Sequence, residues 1–215
     1  MEDEDWSNSW KKHWQPDPVG KRLLILPAWL DVPDEHQSRL VVKIDPGSAF
    51  GTGSHPTTRL CLEALEAKIS SNQRVADLGC GSGILGLAAL ALGAREVIAA
   101  DIDSLAVRAT RENSLLNGLK AGEFIVGHGS IETLEVLLQG DSADLLLCNI
   151  LAPVIEELAP KFDSVLKPTG LGLLSGLLDD QVPRLIQVLA ECGWQARPMA
   201  GQGRWGLLEI KHISR

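Results

Sequence analysis

No apolar run in this chain reaches the ~18 residues that a membrane-spanning helix needs, so no membrane span is expected. Basic residues are scarce: 20 Lys and Arg stand against 28 Asp and Glu, a net charge of −8. A nucleic-acid binder needs a basic face to neutralise phosphates, so direct nucleic-acid binding is not expected. The opening residues Met-Glu-Asp-Glu-Asp are acidic, the reverse of a secretory n-region, which points to a cytoplasmic protein. The four cysteines, Cys61, Cys80, Cys148 and Cys192, lack the paired spacing of metal sites. Each falls in an apolar segment, so reduced core thiols and no bound metal are expected. Internal repeats and low-complexity segments are absent too.

What is present is the composition of a soluble globular protein, 45% hydrophobic and 22% charged, in 215 residues. That length fits one domain with a substantial core plus an extension. A monomer is expected, and the acidic surface is compatible with a basic protein substrate. Trp6, Trp10 and Trp14, four apart, predict one face of a helix that docks on the main domain, ended by Pro16 and Pro18. Two β-like runs, 22–26 and 40–45, with a polar segment between them, predict a small hairpin-like lead-in too short for its own core. The division expected is a linker helix and lead-in over 1–35 and a main domain over 36–215.

From residue 73 onward β and α patterns alternate. Strands are predicted at 73–78, 95–100, 123–126, 143–148 and 171–175, and helices at 84–92, 104–117, 131–138, 152–164 and about 180–192. Runs at 195–199 and 205–211 predict an antiparallel hairpin at the sheet edge. The alternation calls for an α/β fold, a mostly parallel sheet with helices on both faces.

The chain is organised around Val75–Gly86, in which a short strand carries Asp77, breaks at Gly79, Gly81 and Gly83, and runs into a helix. Glycine lets backbone approach a ligand, and a helix N-terminus offers free amides. Ligands of open α/β sheets bind at the carboxyl ends of strands, where Asp77–Gly83, Asp101 and Asn149 fall. A carboxylate at Asp101 suits the two hydroxyls of a ribose, as in dinucleotide enzymes, and so reports a ribose rather than a particular cofactor. The glycines discriminate further. A dinucleotide fingerprint spaces its last two glycines three apart, whereas these are each two apart. Asp77 also places negative charge where a pyrophosphate would sit. A ligand with cationic groups and no phosphate, such as S-adenosyl-L-methionine, suits that arrangement better. Upstream, 45–58 reads as a pliable loop ending in a helix start, with Pro56 at the first position and Ser54 or Thr57 as cap. His55 there is by default a hydrogen-bonding loop residue.

These residues also resemble a known family. Asp77-Leu-Gly-Cys-Gly-Ser-Gly with Asp101-Ile-Asp103 is similar to the S-adenosylmethionine-dependent methyltransferase fold. The wider set resembles the PrmA type, which methylates large-subunit ribosomal protein eleven. Its carriers are Phe50-Gly-Thr-Gly-Ser-His-Pro-Thr-Thr58, Asn113 with Asn117-Gly118, Asn149-Ile-Leu-Ala152 and Ser175-Gly176. The resemblance implies a seven-stranded Rossmann-like methyltransferase sheet and S-adenosyl-L-methionine as cofactor. It implies a ribosomal protein of the large subunit as partner, methylated on lysine side chains or its N-terminal amine. Thr58, Gly79, Asp101 and Asn149 would then contact the cofactor, with Gly81 and Gly83 shaping its cradle and Ser130 and Ile131 flanking the adenine. Asn149 would orient the acceptor amine through its side-chain carbonyl, aided by the backbone carbonyls after it, and His55 would line the acceptor channel. The family is two-domain, with a small substrate-gripping domain first, and this chain is expected to begin at the linker. Asn-Ile-Leu-Ala in place of Asn-Pro-Pro-aromatic separates it from nucleic-acid and glutamine methyltransferases. Three rivals stay open: a methyltransferase of another protein or small amine, an NAD(P)-dependent oxidoreductase, and a binding module without chemistry.

Overall fold

The computed structural model describes residues 14–45 and 53–213. Two sheets share one core. The smaller is three-stranded, built from β1 (Asp17–Val19), β2 (Leu23–Pro27) and β3 (Leu40–Ile44). The hairpin expected between residues 22–26 and 40–45 is not formed: β2 and β3 run parallel, Leu23 opposite Leu40, and the antiparallel partner of β2 is β1. The physical reason is the connection. A parallel pair needs a crossover of about a dozen residues, and the polar segment after Pro27 supplies it. The division expected at 35/36 falls inside that crossover. Val19, Leu23, Ile25, Val42 and Ile44 enter the same apolar cluster as the main sheet. Of the predicted tryptophan helix, Trp6 and Trp10 lie outside the described residues, and Trp14 sits in irregular chain before β1.

α1 (Pro56–Lys68) leads into the seven-stranded sheet. Its elements are β4 (Arg74–Leu78), α2 (Ile84–Ala91), β5 (Glu96–Asp101), α3 (Ser104–Leu116), β6 (Phe124–His128), α4 (Ile131–Leu138), β7 (Ala143–Asn149), α5 (Ala152–Leu158), β8 (Leu166–Leu178), α6 (Val182–Glu191), β9 (Trp194–Gln202) and β10 (Trp205–His212). The strand order is β6-β5-β4-β7-β8-β10-β9. All pairs are parallel through β8, and β10 is antiparallel to both β8 and β9. The order reverses between β4 and β7, the place where such sheets open a ligand crevice.

The central strands are buried on both faces, as parallel strands under helices must be. Their residues sort by parity. Val75, Val97, Ala99, Leu145 and Leu147 pack on the α1–α2 side, while Ala76, Ile98, Ala100, Leu146 and Cys148 pack against the α4–α6 side. On that second side Phe162 meets Trp194 edge to face, with ring centroids 6.2 Å apart. β8 is longer than the 171–175 run expected, since it starts at Leu166 and runs through Pro168 and Gly170 to Leu178. Residues 159–164, expected as the end of a longer helix, form a 3-10 turn after α5.

Candidate active site

The glycine turn is a left-handed ladder. Gly79, Gly81 and Gly83 have φ of +74°, +56° and +82°, a region that residues with a Cβ enter only with strain. At Gly79 a Cβ would also collide with the Ile150 side chain. The amides of Gly79 and Cys80 both donate to the Ala100 carbonyl, at 2.9 and 3.3 Å, which seats the turn on the end of β5. Gly81 N–H donates to Asp101 Oδ2 at 2.9 Å, and Asp103 N–H to Asp101 Oδ1 at 2.9 Å. A carboxylate accepts about four hydrogen bonds, so Asp101 keeps capacity on both oxygens for a ligand.

Asp77 is not where the sequence reading put it. As an odd-numbered residue of β4 it points to the α1–α2 side and is buried beneath the turn, away from the cavity. Its Oδ2 accepts from Gly86 N–H at 3.1 Å. That caps a free amide in the first turn of α2, whose N-cap, Gly83, has no side chain to do so. Oδ1 finds no partner among the described residues. Burial pushes the carboxyl up to about 7; the Gly86 amide opposes the shift, and the charge of Asp101 adds a smaller push upward. The neighbouring thiols behave as core: burial pushes Cys61 up to about 12, and Cys80 and Cys148 well above their ordinary value.

Above the turn lies a cavity of about 460 Å³. Gly79, Gly81 and Asp101 form one wall, extended by Ile102, Gly129 and Ser130. The facing wall is Asn149, Ile150, Leu151, Val154, Leu158 and Trp205, with His55 and Thr57 at the start of α1. Asp101 is the one carboxylate among these residues, and no Lys or Arg is among them.

At the α1 end the cap is His55 rather than Ser54 or Thr57. Its Nδ1 lies 3.4 Å from Thr57 N–H and 2.8 Å from Thr57 Oγ1, and Pro56 takes the first helical position as expected. The His55 ring stands edge to face on Trp205, centroids 5.0 Å apart. Thr58 is fully buried, and Thr57 takes the place at the cavity wall. Thr58 Oγ1 instead accepts from Asn149 Nδ2 at 3.3 Å. With its nitrogen engaged there, Asn149 has its carbonyl oxygen for the cavity. Gly176 of β8 backs this corner: at φ +85°, a Cβ would strike the Ile150 carbonyl.

The structure thus brings His55, Gly79, Gly81, Asp101, Ser130 and Asn149 to one cavity. Gly83 caps α2, and Ile131 is buried in the core below Ser130. Phe50, Gly51 and Thr52 of the long motif lie outside the described residues. Sequence reasoning gave no role to Ile102, Val154 or Trp205. Ile102 carried a usable signal, an apolar residue next to a strand-end acid and 77% exposed in the fold.

The chain matches the family model described as ribosomal protein L11 methyltransferase (PrmA) over residues 1–212. It is 68% identical over 209 residues to the ribosomal protein L11 methyltransferase of Parasynechococcus marenigrum (strain WH8102), covering 97% of this chain and 72% of that protein. Against that of Prochlorococcus marinus (strain MIT 9303) it is 64% identical over 208 residues, covering 97% and 69%. A crystal structure of ribosomal protein L11 methylase from Lactobacillus delbrueckii subsp. bulgaricus matches with a TM-score of 0.82 at 34% identity, over 94% of this chain and all of that one. Fold and site together define a Rossmann-like methyltransferase. Within that class, the chain belongs to the ribosomal protein L11 methyltransferase (PrmA) family.

Proposed function

We propose that this chain transfers methyl groups from S-adenosyl-L-methionine to amino groups of ribosomal protein L11, on lysine side chains and at the N-terminal amine, in the cytoplasm. The observation that carries this reading is the chemistry of the cavity at the switch point. Among the described residues it has one carboxylate, no Lys or Arg, and an asparagine across from the glycine turn.

The residues present fit the cofactor. The turn leaves no room for a Cβ at Gly79, Asp101 has acceptor capacity for two ribose hydroxyls, and Ile102, Gly129 and Ser130 offer a flat, largely apolar place for a base. The glycines of the turn are each two apart and lack the three-residue step that closes a dinucleotide fingerprint, which speaks against NAD(P). When bound, S-adenosyl-L-methionine supplies a methyl group on a sulfonium, open to in-line displacement by a nitrogen lone pair.

The chain's own task is to present that lone pair. A lysine of pKa ~10.4 pays about 4 kcal/mol to be neutral at pH ~7.4. The apolar wall of Ile150, Leu151 and Val154 lowers that cost by desolvating the ammonium form. The Asn149 carbonyl accepts an amine N–H and so fixes where the lone pair points, while Thr58 fixes the Asn149 amide. His55 holds Trp205 in place edge to face. Alignment of this kind is worth several kcal/mol when the reacting atoms are held in a near-attack geometry.

The test is transfer of labelled methyl groups to ribosomes or free L11 lacking the modification, with mass spectrometry of the acceptor and a panel of other proteins and small amines. Label on L11 lysines and its N-terminal amine is expected. Equal or better transfer to unrelated amines, or a thermal shift with NAD(P) and none with S-adenosyl-L-methionine, overturns the reading.

A further inference from the structure

The buried face of α3 carries a polar seam where an apolar stripe would be expected. Thr110, Asn113 and Asn117 stand at i, i+3 and i+7 on one side of the helix. Thr110 and Asn113 are almost completely buried, and neither lines the cavity. Thr110 Oγ1 donates to the Gly81 carbonyl at 3.0 Å. Asn113 Nδ2 donates to the Ser82 carbonyl at 2.9 Å, and Asn113 Oδ1 accepts from Asp45 N–H at 2.8 Å. The Asp45 amide requires an acceptor, which fixes the orientation of the Asn113 side chain and so makes the nitrogen the partner of Ser82. Asn117 clasps β3 and its own helix: Lys43 N–H donates to its Oδ1 at 2.9 Å, and its Nδ2 donates to the Lys43 carbonyl at 2.7 Å and to the Asn113 carbonyl at 2.8 Å.

We infer that Thr110 and Asn113 are positioning residues for the cofactor, pinning two successive carbonyls of the glycine turn and tying that turn to the end of β3. The inference rests on the cofactor reading above. The physical need is clear. Gly79, Gly81 and Gly83 have no side chains to restrict their dihedrals, and a glycine segment loses more freedom on ordering than any other. The peptide after Gly81 is held through its carbonyl by Thr110. The next peptide is held at both ends, by Asn113 at the Ser82 carbonyl and by Gly83 N–H donating to the Cys80 carbonyl at 2.8 Å. These bonds keep both peptide planes from flipping, so the turn meets its ligand already ordered. Asn113 also makes the small sheet part of the cofactor site, since the same amide holds Asp45 and Ser82.

Asn117 is the internal control, because it grips β3 without touching the turn. Asn113→Asp keeps the acceptor for Asp45 and sets an oxygen against the Ser82 carbonyl; Thr110→Val removes one donor at constant shape. Titration calorimetry with S-adenosyl-L-methionine should show Kd raised about tenfold or more in Asn113→Asp and about threefold to tenfold in Thr110→Val. Asn117→Ala should stay within about twofold, and turnover at saturating cofactor within about threefold in all three. A residue that only supports the fold would lower Tm in Asn113→Asp and Asn117→Ala without separating their affinities. In the unmodified chain, where folding of a variant is not at issue, adding cofactor should slow hydrogen exchange at the Asp45 amide by about tenfold or more. Binding by the unmodified chain with equal affinity in all three variants, or unchanged exchange at Asp45, overturns this inference alone. No binding by the unmodified chain overturns the cofactor reading and this inference with it.

Discussion

The two walls of the cavity are made by opposite means. The wall from Gly79 to Asp101 is backbone: three left-handed glycines, amides donated to Ala100 and Asp101, carbonyls held from behind by Thr110 and Asn113. The wall from Asn149 to Trp205 is side chain, one amide among Ile150, Leu151, Val154 and an indole. A backbone wall has almost no latitude, because its shape depends on residues that cannot be exchanged without strain. A side-chain wall can change its ligand by changing a few apolar groups. In the function proposed above that contrast has a use: one wall takes an invariant donor, and the other takes whichever acceptor the enzyme serves.

Asn149→Ala breaks the acceptor wall where it does its chemistry, and it should have the largest effect. Removing one preorganised hydrogen-bonding group from an active site costs about 10²–10³ in rate. Turnover should fall by that order while cofactor affinity, measured by calorimetry, falls far less. Parent-like turnover would remove Asn149 from its role. Comparable losses in turnover and cofactor affinity would move it to the other wall.

Beneath the backbone wall, Asp77 makes a prediction about pH. The unfolded chain releases its proton near 3.8 and the folded chain near 7. Between those values the folded state holds the extra proton, so stability falls as pH rises through that window and is level outside it. The ionised, buried carboxylate then weighs against the fold by about 4 kcal/mol above pH 7. Asp77→Asn removes that slope. Urea unfolding at pH 4 and pH 8 should show the variant gaining on the parent at the higher pH, and an equal difference at both would defeat the assignment.

Asp101→Ala tests the exposed part of the same wall. A hydrogen bond to a charged group contributes about 1.5–3 kcal/mol, so cofactor Kd should rise roughly ten- to hundredfold. Acceptor KM at saturating cofactor should not move, and a shift in both would mean that the two walls are not separable.

The same contrast explains what could be read from the sequence. The central strands were legible because β4, β5 and β7 must be apolar on both faces, and the glycine turn because left-handed backbone demands glycine. Asp101 and Asn149 were legible as polar residues at strand ends. The acceptor wall was hidden because Val154 and Trp205 look like core until the fold exposes them. The direction of Asp77 needed its parity within β4, and the parallel pairing of β2 with β3 needed to know what the 28–39 segment crosses over. At α1 the sequence reading gave the cofactor contact to Thr58 and only a capping role to Thr57. One residue along a helix is about 100° of rotation, enough to send Thr57 to the cavity and Thr58 into the core beside Asn149.

The smallest effect is expected at Trp205, and it sharpens the comparison most. Its indole stands edge to face with the His55 ring and lines the cavity, and in the function proposed above it is the aromatic surface that meets the acceptor. A lysine arrives as an ammonium, and attraction of such a cation to an indole face is worth about 0.5–1 kcal/mol when exposed and about 2 when desolvated. Trp205→Leu keeps the wall apolar and removes only the π face. Acceptor KM should therefore rise about threefold to tenfold, with cofactor Kd unchanged and turnover at saturation nearly so. A rise in cofactor Kd of the same size would place Trp205 against the donor instead. No change in either would leave the acceptor wall as a desolvating surface only, with Asn149 its single point of recognition.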